Sequence, residues 1–289
     1  MEDETRSVKE SQIIFKNDTL KQVCETLLEN LRSHRRVAVA FSGGVDSTLL
    51  LKLAVEALGA ENVVAIHGKS ILETPERQVM VQQLYKENFP ELGELIEVML
   101  HPLLYDGFAA NDEKRCYICK KHLYINLKPI AASLGGAVLL DGTNKDDLSE
   151  VRPGLQALAE EGILTPLADV GIEKAEVRQL AEAFHLSNYS LPSESCLATR
   201  LPQGKKITRE ALELTGRAET ALKKLGLPLA RVKPVVGGIL LELWGEADET
   251  AEKQSITPEI RAILTPLIES ESFSESKKGI ITLCNRRQC

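Results

Sequence analysis

The stretch Val37-Ala38-Val39-Ala40-Phe41-Ser42-Gly43-Gly44-Val45-Asp46-Ser47-Thr48 runs from apolar β-type residues through a glycine pair into a helix-like sequence. A strand that turns this tightly into a helix leaves the first helical amides and the positive dipole end open to an anion, and adjacent glycines let the backbone close on phosphate oxygens. Such a loop belongs at the carboxyl edge of a sheet. Val63-Val64-Ala65-Ile66, Leu95 to Leu100 and Ala137-Val138-Leu139-Leu140 supply further strands, separated by helical stretches at Leu49 to Leu58, from Thr74-Pro75-Glu76-Arg77 onward and at Tyr117 to Leu134. This alternation implies an α/β fold with a doubly wound parallel sheet, whose ligands sit beyond the carboxyl ends of the strands. A helix over 18–33, phased by Leu20, Val23, Leu27, Leu28 and Leu31, precedes the first strand, and Glu173 to Phe184 forms one more.

The pattern breaks at Ser187 to Cys196. Beyond it, Thr208 to Leu225 reads as a helix, Arg231 to Val236 and Ile239 to Leu243 as strands around a Gly237-Gly238 hairpin turn, Pro258 to Ile268 as a helix and Gly279 to Leu283 as a last strand. The expected organisation is an N-terminal extension over 1–17, an α/β domain over 18–195, and a linker with a smaller α+β domain over 196–289. No run of the 289 residues approaches the about 18 consecutive apolar residues of a membrane span, and the acidic start Met1-Glu2-Asp3-Glu4 has no apolar core behind it, so a cytoplasmic protein with no membrane partner is expected. A net charge of −7 argues against a large nucleic-acid footprint. Six cysteines in such a chain read as ligands, nucleophiles or buried thiols rather than as a disulfide framework.

The glycine loop lacks the lysine of the GxxxxGK[ST] pattern, which reaches the β and γ phosphates. Its SGGxDS pattern instead resembles the PP-loop of the ATP pyrophosphatases, a resemblance that implies loss of pyrophosphate and transfer of AMP to a substrate. On this reading Ser42, Gly43, Gly44 and Ser47 bind ATP, and Asp46 can hold a magnesium ion that bridges the phosphates. A plain serine-glycine turn is the alternative.

Cys116-Tyr117-Ile118-Cys119 lies between Arg115 and Lys120-Lys121, and Cys196 lies in Ser195-Cys196-Leu197-Ala198-Thr199-Arg200. A lone CxxC is weak evidence, and two incidental cysteines at a helix start remain an alternative. Flanking cations and a helix N-terminus lower a thiol pKa, so thiolates are expected here. Cys24 reads as core, Cys289 as terminal, and Cys284 is undecided.

Taken in order, SGGVDST, Asp141-Gly142-Thr143-Asn144-Lys145-Asp146-Asp147, Val151-Arg152-Pro153-Gly154 and Cys196-Leu197-Ala198-Thr199-Arg200 resemble the LarE family, over nearly the whole chain. The resemblance implies an ATP-dependent sulfurtransferase that adenylates a carboxylate of pyridinium biscarboxylic acid mononucleotide and converts it to a thiocarboxylate for the nickel-pincer cofactor of lactate racemase. It further implies a PP-loop domain over 18–195, a homo-oligomer such as a hexamer, and ATP and Mg2+ as cofactors. Cys196 is then the sulfur-bearing residue, either sacrificed to dehydroalanine or, as the additional Cys116 and Cys119 suggest by resemblance to a three-cysteine subgroup, a ligand with them of a [4Fe-4S] cluster.

By the same resemblance His67, Gly142 and Thr143 join the ATP site. Arg152, Thr199, Arg200, Arg231 and Lys233 meet the substrate, either Arg200, counted with the catalytic residues, or Arg152 neutralising the adenylate or carboxylate charge, and Glu219 and Glu242 handle metal or phosphate. A tRNA-thiolating PP-loop enzyme is the competing activity, supported only by the short basic stretches Lys205-Lys206 and Arg286-Arg287. A non-catalytic nucleotide or metal sensor is a third reading, and it predicts ATP binding without pyrophosphate release.

Overall fold

The computed structural model describes residues 15–149, 153–227, 229–235, 238–243, 256–270 and 280–285. Helix α1 (Asp18–Arg32), capped by the Asn17 side chain on the Leu20 amide, leads into β1 (Val37–Ala40), whose four residues are all buried. Helix α2 (Val45–Leu58), β2 (Val63–Lys69), α3 (Pro75–Asn88) and β3 (Ile96–Met99) follow, and α3 begins with Pro75 behind a Thr74 cap, as a proline at a first helical turn favours. Next come α4 (Arg115–Ser133), β4 (Val138–Leu140), the short helices α5 (Lys145–Ser149), α6 (Pro153–Glu161) and α7 (Pro166–Asp169), and α8 (Lys174–Ala183).

The four strands form one parallel sheet in the order β3-β2-β1-β4, with Val37 opposite Val63 on one side and Val138 on the other. Helices cover both faces, as a parallel sheet requires. Side chains of α1, α2, α3 and α8 build the core on one face around Leu27, Leu49, Leu53, Val81 and Leu180, where Cys24 is also buried. Tyr124, Leu127 and Ala131 of α4, with Leu158 of α6, build the other. The expected α/β architecture is therefore the one observed, and its last parallel segment is extended by a bridge from Leu140 to Leu164.

A 3-10 turn at Leu197–Arg200 opens the remaining part, which contains α9 (Arg209–Lys224), β5 (Arg231–Val235), β6 (Gly238–Leu243), α10 (Pro258–Glu269) and β7 (Ile280–Asn285). Strands β5 and β6 pair antiparallel and β6 and β7 parallel. The residues between β5 and β6, including Gly237 of the expected hairpin turn, lie outside the described residues. Leu197, Ala198 and Leu201 pack with Leu212, Leu222, Val232 and Leu264, and this second core also takes in Leu72 and Phe108 from the connections of the first sheet. The small sheet is thereby seated against the carboxyl ends of β2 and β3. Among the described residues no helix is long and apolar enough to cross a membrane.

Candidate active site

Phe41 follows β1, and the chain turns through Gly43 at φ +69°, a left-handed conformation that favours glycine. A Cβ there would lie 2.9 Å from Val81 Cγ2, so both strain and packing reserve the position for glycine. The turn is laced internally. The Ser42 amide donates to Ser47 Oγ at 3.2 Å, Ser47 Oγ donates to the Gly44 carbonyl at 3.0 Å, and Thr48 Oγ1 donates to the same carbonyl at 2.9 Å. Gly44 caps α2 without any side chain to occupy the first helical amides, which leaves them for an anion.

Four residues from distant segments brace this loop. Asn188 Nδ2 donates to the Gly43 carbonyl at 3.2 Å and to Thr48 Oγ1 at 3.0 Å, and Arg77 Nη2 donates to the Ser42 carbonyl at 2.9 Å. Lys174 forms an ion pair with Asp46 Oδ2, while Asn144 Nδ2 donates to Asp46 Oδ1 at 2.9 Å. None of Arg77, Lys174 and Asn188 stands out in the sequence, because each acts from a different element on a loop far away in the chain.

The loop opens onto a cavity of about 890 Å³ at the carboxyl ends of β1, β2 and β4, which is lined by Ser42, Asp46, Ser47, Asp141, Gly142 and Thr143 among others. Gly142 belongs there for a steric reason: a Cβ would stand 2.8 Å from the Ser47 amide nitrogen. Thr143 Oγ1 donates to Asp141 Oδ1 at 2.6 Å, and Asp141 Oδ2 accepts from Tyr124 at 2.6 Å and from Lys120 at 3.0 Å. Burial disfavours the ionised form of Asp141, but Lys120 and these hydrogen bonds outweigh it and hold its pKa below the usual carboxylate range. Lys120 directly follows Cys119, so this trio joins the CxxC helix to the loop after β4.

His67 also lines the cavity, with Nδ1 2.9 Å from the Phe41 carbonyl and Nε2 3.2 Å from Glu73 Oε2. Burial opposes its charged form, yet Glu73 and the Phe41 carbonyl outweigh burial and raise its pKa. The Nε2 and Oε2 atoms are buried and their approach lacks hydrogen-bond geometry, so charge rather than a directed bond holds them together.

On the far wall of the same cavity stand Ser193, Glu194 and Ser195, the residues leading into Cys196, together with Arg231. Glu194 is held by Arg77 at 3.1 Å, so one arginine grips both the glycine loop and the segment before Cys196. Arg231 is buried and donates to the Ser193 carbonyl at 3.0 Å. Lys233, two residues on along the same strand, is paired with Glu242. Arg200 is 4% exposed and bound to Glu219 through two hydrogen bonds of 2.8 and 3.2 Å; its remaining nitrogen reaches Ser195 Oγ at 2.7 Å and Thr199 Oγ1 at 3.0 Å. Glu219 also accepts from the Val232 amide at 2.9 Å. Arg200, Thr199 and Glu219 thus form a staple beneath the cysteine loop. Arg152 lies outside the described residues.

Arg115 brings the cysteines together. Its guanidinium donates to the Ala198 carbonyl at 3.0 Å, binds the Asn111 side chain, and lies 3.7 Å from Cys116 Sγ. Asn111, buried and at φ +58°, in turn donates to the Pro202 carbonyl at 2.7 Å. Cys116, Cys119 and Cys196 are free thiols close enough to feel one another's charge. The expectation that these sulfurs have lowered pKa values is corrected for two of them. Burial pushes the Cys119 thiol up to about 12, with Cys196 and Cys116 adding to the rise over the opposing Lys120 and Arg115. Burial by the surrounding protein likewise raises Cys196, although Arg115 opposes it and the side chain keeps contact with solvent. Desolvation outweighs the flanking cations. Among the described residues no three His, Cys, Asp or Glu side chains are grouped to hold a single metal ion.

The family described as NAD synthase matches residues 18–88, the part that contains the glycine loop. An uncharacterized protein of Synechocystis sp. is 40% identical over 213 residues, 72% of this chain and 78% of its own length. Pyridinium-3,5-bisthiocarboxylic acid mononucleotide synthase of Lactiplantibacillus plantarum is 37% identical over 216 residues, 74% of this chain and 77% of its own. A glutamine-hydrolyzing GMP synthase component of Methanopyrus kandleri is 30% identical over 181 residues, 56% and 54% of the two chains.

Proposed function

The chain belongs to the LarE family of ATP-dependent sulfurtransferases, and from that premise we propose that it adenylates a carboxylate of pyridinium-3,5-biscarboxylic acid mononucleotide and replaces it by a thiocarboxylate. The observation that carries the proposal is the cavity whose one wall is the Ser42–Ser47 loop and whose other wall is the Ser193–Ser195 approach to Cys196. The loop amides and the hydroxyls of Ser42 and Ser47 bind the phosphates of ATP, and Asp46 suits magnesium, since it is a carboxylate inside the cavity whose charged partner is a displaceable lysine. Magnesium, when bound, neutralises charge on the phosphates. A substrate carboxylate oxygen attacks the α-phosphorus, the α–β P–O bond breaks, and pyrophosphate leaves with the electron pair. The acyl carbon then carries AMP, a leaving group that a sulfur nucleophile can displace.

Arg231 is the cation best placed for the substrate phosphate, because it is buried at the cavity wall with a backbone carbonyl as its hydrogen-bond partner. Gly142 and Thr143 shape the nucleotide side, and His67 bounds it. Arg200 supports rather than reaches the reaction, holding the Cys196 loop in shape through Ser195 and Thr199. The division of labour proposed for the chain is activation over 18–195 and substrate binding and assembly over 196–289.

We assign Cys116, Cys119 and Cys196 as ligands of a [4Fe-4S] cluster. Three free thiols within one another's electrostatic reach, stapled by Arg115, have the chemistry for it, and a cluster is a larger body than the single ion for which no group is formed. Such a cluster, when bound by three thiolates, supplies an iron open to exogenous sulfide.

Anaerobically purified protein incubated with ATP, magnesium, sulfide and the pyridinium mononucleotide tests the reading. Mass spectrometry should find a thiocarboxylate that gains 16 Da per exchanged oxygen, a difference set by the masses of sulfur and oxygen, of about 32 and about 16 Da, and pyrophosphate should appear only with the substrate present. An intact Cys196 after many turnovers supports cluster-borne sulfide, and dehydroalanine at 196 supports sacrifice of the residue. Pyrophosphate-free ATP binding would refute both.

A further inference from the structure

We infer that Arg77 is a positioning residue for the sulfur-transfer step, and that it couples nucleotide binding at the glycine loop to the ordering of the approach to Cys196. The inference rests on the adenylation and sulfur transfer proposed above. Sulfur must reach the acyl carbon before water does, because water attacking the same carbon breaks its bond to AMP and returns the carboxylate. A sulfur-bearing loop that is set only when the phosphate site is filled meets that need.

One side chain is placed to link the two events. Arg77 is the third residue of α3, and its amide donates at 3.1 Å to the Thr74 side chain that caps the helix. A cation in a first turn works against the helix dipole, so α3 itself gains nothing from an arginine there. The cap fixes its backbone and leaves the guanidinium to reach in two directions. Nη2 donates to the Ser42 carbonyl at 2.9 Å, and Nη1 pairs with Glu194 Oε2 at 3.1 Å. Nη2 would also stand 3.5 Å from a Cβ on Gly43, so the group lies against the turn on which the phosphates are expected to rest. Burial is uneven along this bridge: the Arg77 side chain is 16% exposed and that of Glu194 is 48% exposed. The carboxylate is therefore the end that can let go.

The segment between α8 and Cys196 has firm anchors on either side of Glu194. Asn188 Nδ2 holds the Gly43 carbonyl and Thr48 Oγ1, and the Leu197 amide donates to the Leu72 carbonyl at 2.9 Å. Gly216 of α9 lets Leu197 pack closely, since a Cβ there would lie 3.2 Å from Leu197 Cδ1. Between these anchors Arg231 takes the Ser193 carbonyl, and Arg77 connects Glu194 to the glycine loop. Arg77 lines the small cavity of about 70 Å³ that it shares with Glu194, Arg200, Glu219 and Arg231. It acts through Ser42 and Glu194 rather than on the nucleotide. Phosphates seated on the loop amides restrain the turn at Ser42, and the restraint passes through the rigid fork to Glu194. A planar guanidinium holds two partners in one fixed geometry, which an ammonium does not. Such coupling is reciprocal, so an ordered approach also tightens nucleotide binding.

The test compares anaerobically purified full-length wild type, Arg77→Met and Arg77→Lys by hydrogen exchange, with and without saturating magnesium ATP. In the wild type ATP should slow exchange over 42–48 and also over 192–196, the latter about five- to fifty-fold. R77M should keep the first effect and lose the second, and R77K should recover less than half of it. With sulfide and the pyridinium mononucleotide added, R77M should still release pyrophosphate while thiocarboxylate formed per pyrophosphate falls about ten- to a hundred-fold, as for a misplaced reacting group. A merely structural role would lower both products together. No ATP effect over 192–196 in the wild type, equal protection there in R77M, or an unchanged product ratio would overturn the inference. Should R77M fail to fold, Glu194→Ala decides, because it cuts the bridge at its exposed end: loss of the ATP effect over 192–196 alone supports the coupling, and its retention refutes it. The exchange measurement uses no organic substrate, so its failure is distinct from failure of the sulfur-transfer reading, which would show as no pyridinium-dependent pyrophosphate in the wild type.

Discussion

The two walls of the cavity are built on different principles. The nucleotide wall is a local structure: Gly43, Gly44, Ser47 and Thr48 are neighbours in sequence, and their hydrogen bonds span two to five residues. The sulfur wall is assembled at long range. Arg115 reaches Ala198 across 83 positions, Asn111 reaches Pro202 across 91, and Glu219 anchors Arg200 from another helix. A loop that shapes itself can bind phosphate wherever a sheet presents it, whereas three cysteines from two segments converge only if buried polar contacts hold the segments in register. Arg77 is the joint between the two, touching the Ser42 carbonyl on one side and Glu194 on the other.

That contrast can be broken most forcefully at Arg200. Replacing it by Met strands a largely buried Glu219 and should cost about 3 kcal/mol of stability or more, read by chemical denaturation. A loss below 1 kcal/mol would mean that the sulfur wall does not depend on this staple. Gly43→Ala attacks the other wall: its left-handed backbone and the Val81 contact predict about 1–3 kcal/mol of strain, together with loss of ATP affinity in calorimetry. Full ATP affinity in that variant would show that the glycine turn is not the phosphate cradle.

A smaller and more selective effect is expected at Arg115. Arg115→Met removes its hydrogen bonds to Ala198 and Asn111, which at this part-buried guanidinium are together worth about 1–2 kcal/mol. Pyrophosphate release should survive while thiocarboxylate formation falls, so a parallel fall in both would join the walls into one unit.

The mildest test is a pH profile at His67. Its folded pKa is raised, so its contribution to stability is complete below the ordinary histidine value of about 6.5 and is lost as pH rises through the higher folded value. His67→Gln should therefore lose more stability relative to wild type at pH 6 than at pH 9. An equal loss at both values would show that the Glu73 contact carries no charge-dependent stabilisation.

The same contrast governs what can be read from the residues alone. The parallel sheet and the glycine loop are legible because periodicity and adjacent glycines are local signals. The helices of 5, 9 and 4 residues between β4 and α8 escape, since each is too short to show a helical period. Lys174 is 128 positions from Asp46 and sits in a helix that reads as ordinary, so only the folded chain brings it to the glycine loop. The cysteines are visible in sequence, but their protonation is not: cations beside Cys119 can be counted, while the burial that overrides them arises only when the Cys196 loop closes over α4.

The most direct test of a cavity with separable walls is the partition of products in Cys196→Ala. With ATP, magnesium, sulfide and the pyridinium mononucleotide under anaerobic conditions, pyrophosphate and thiocarboxylate are counted from the same reaction. The two-wall arrangement predicts a burst of pyrophosphate and an acyl-adenylate without thiocarboxylate. Thiocarboxylate formed at the wild-type rate by the variant would contradict it.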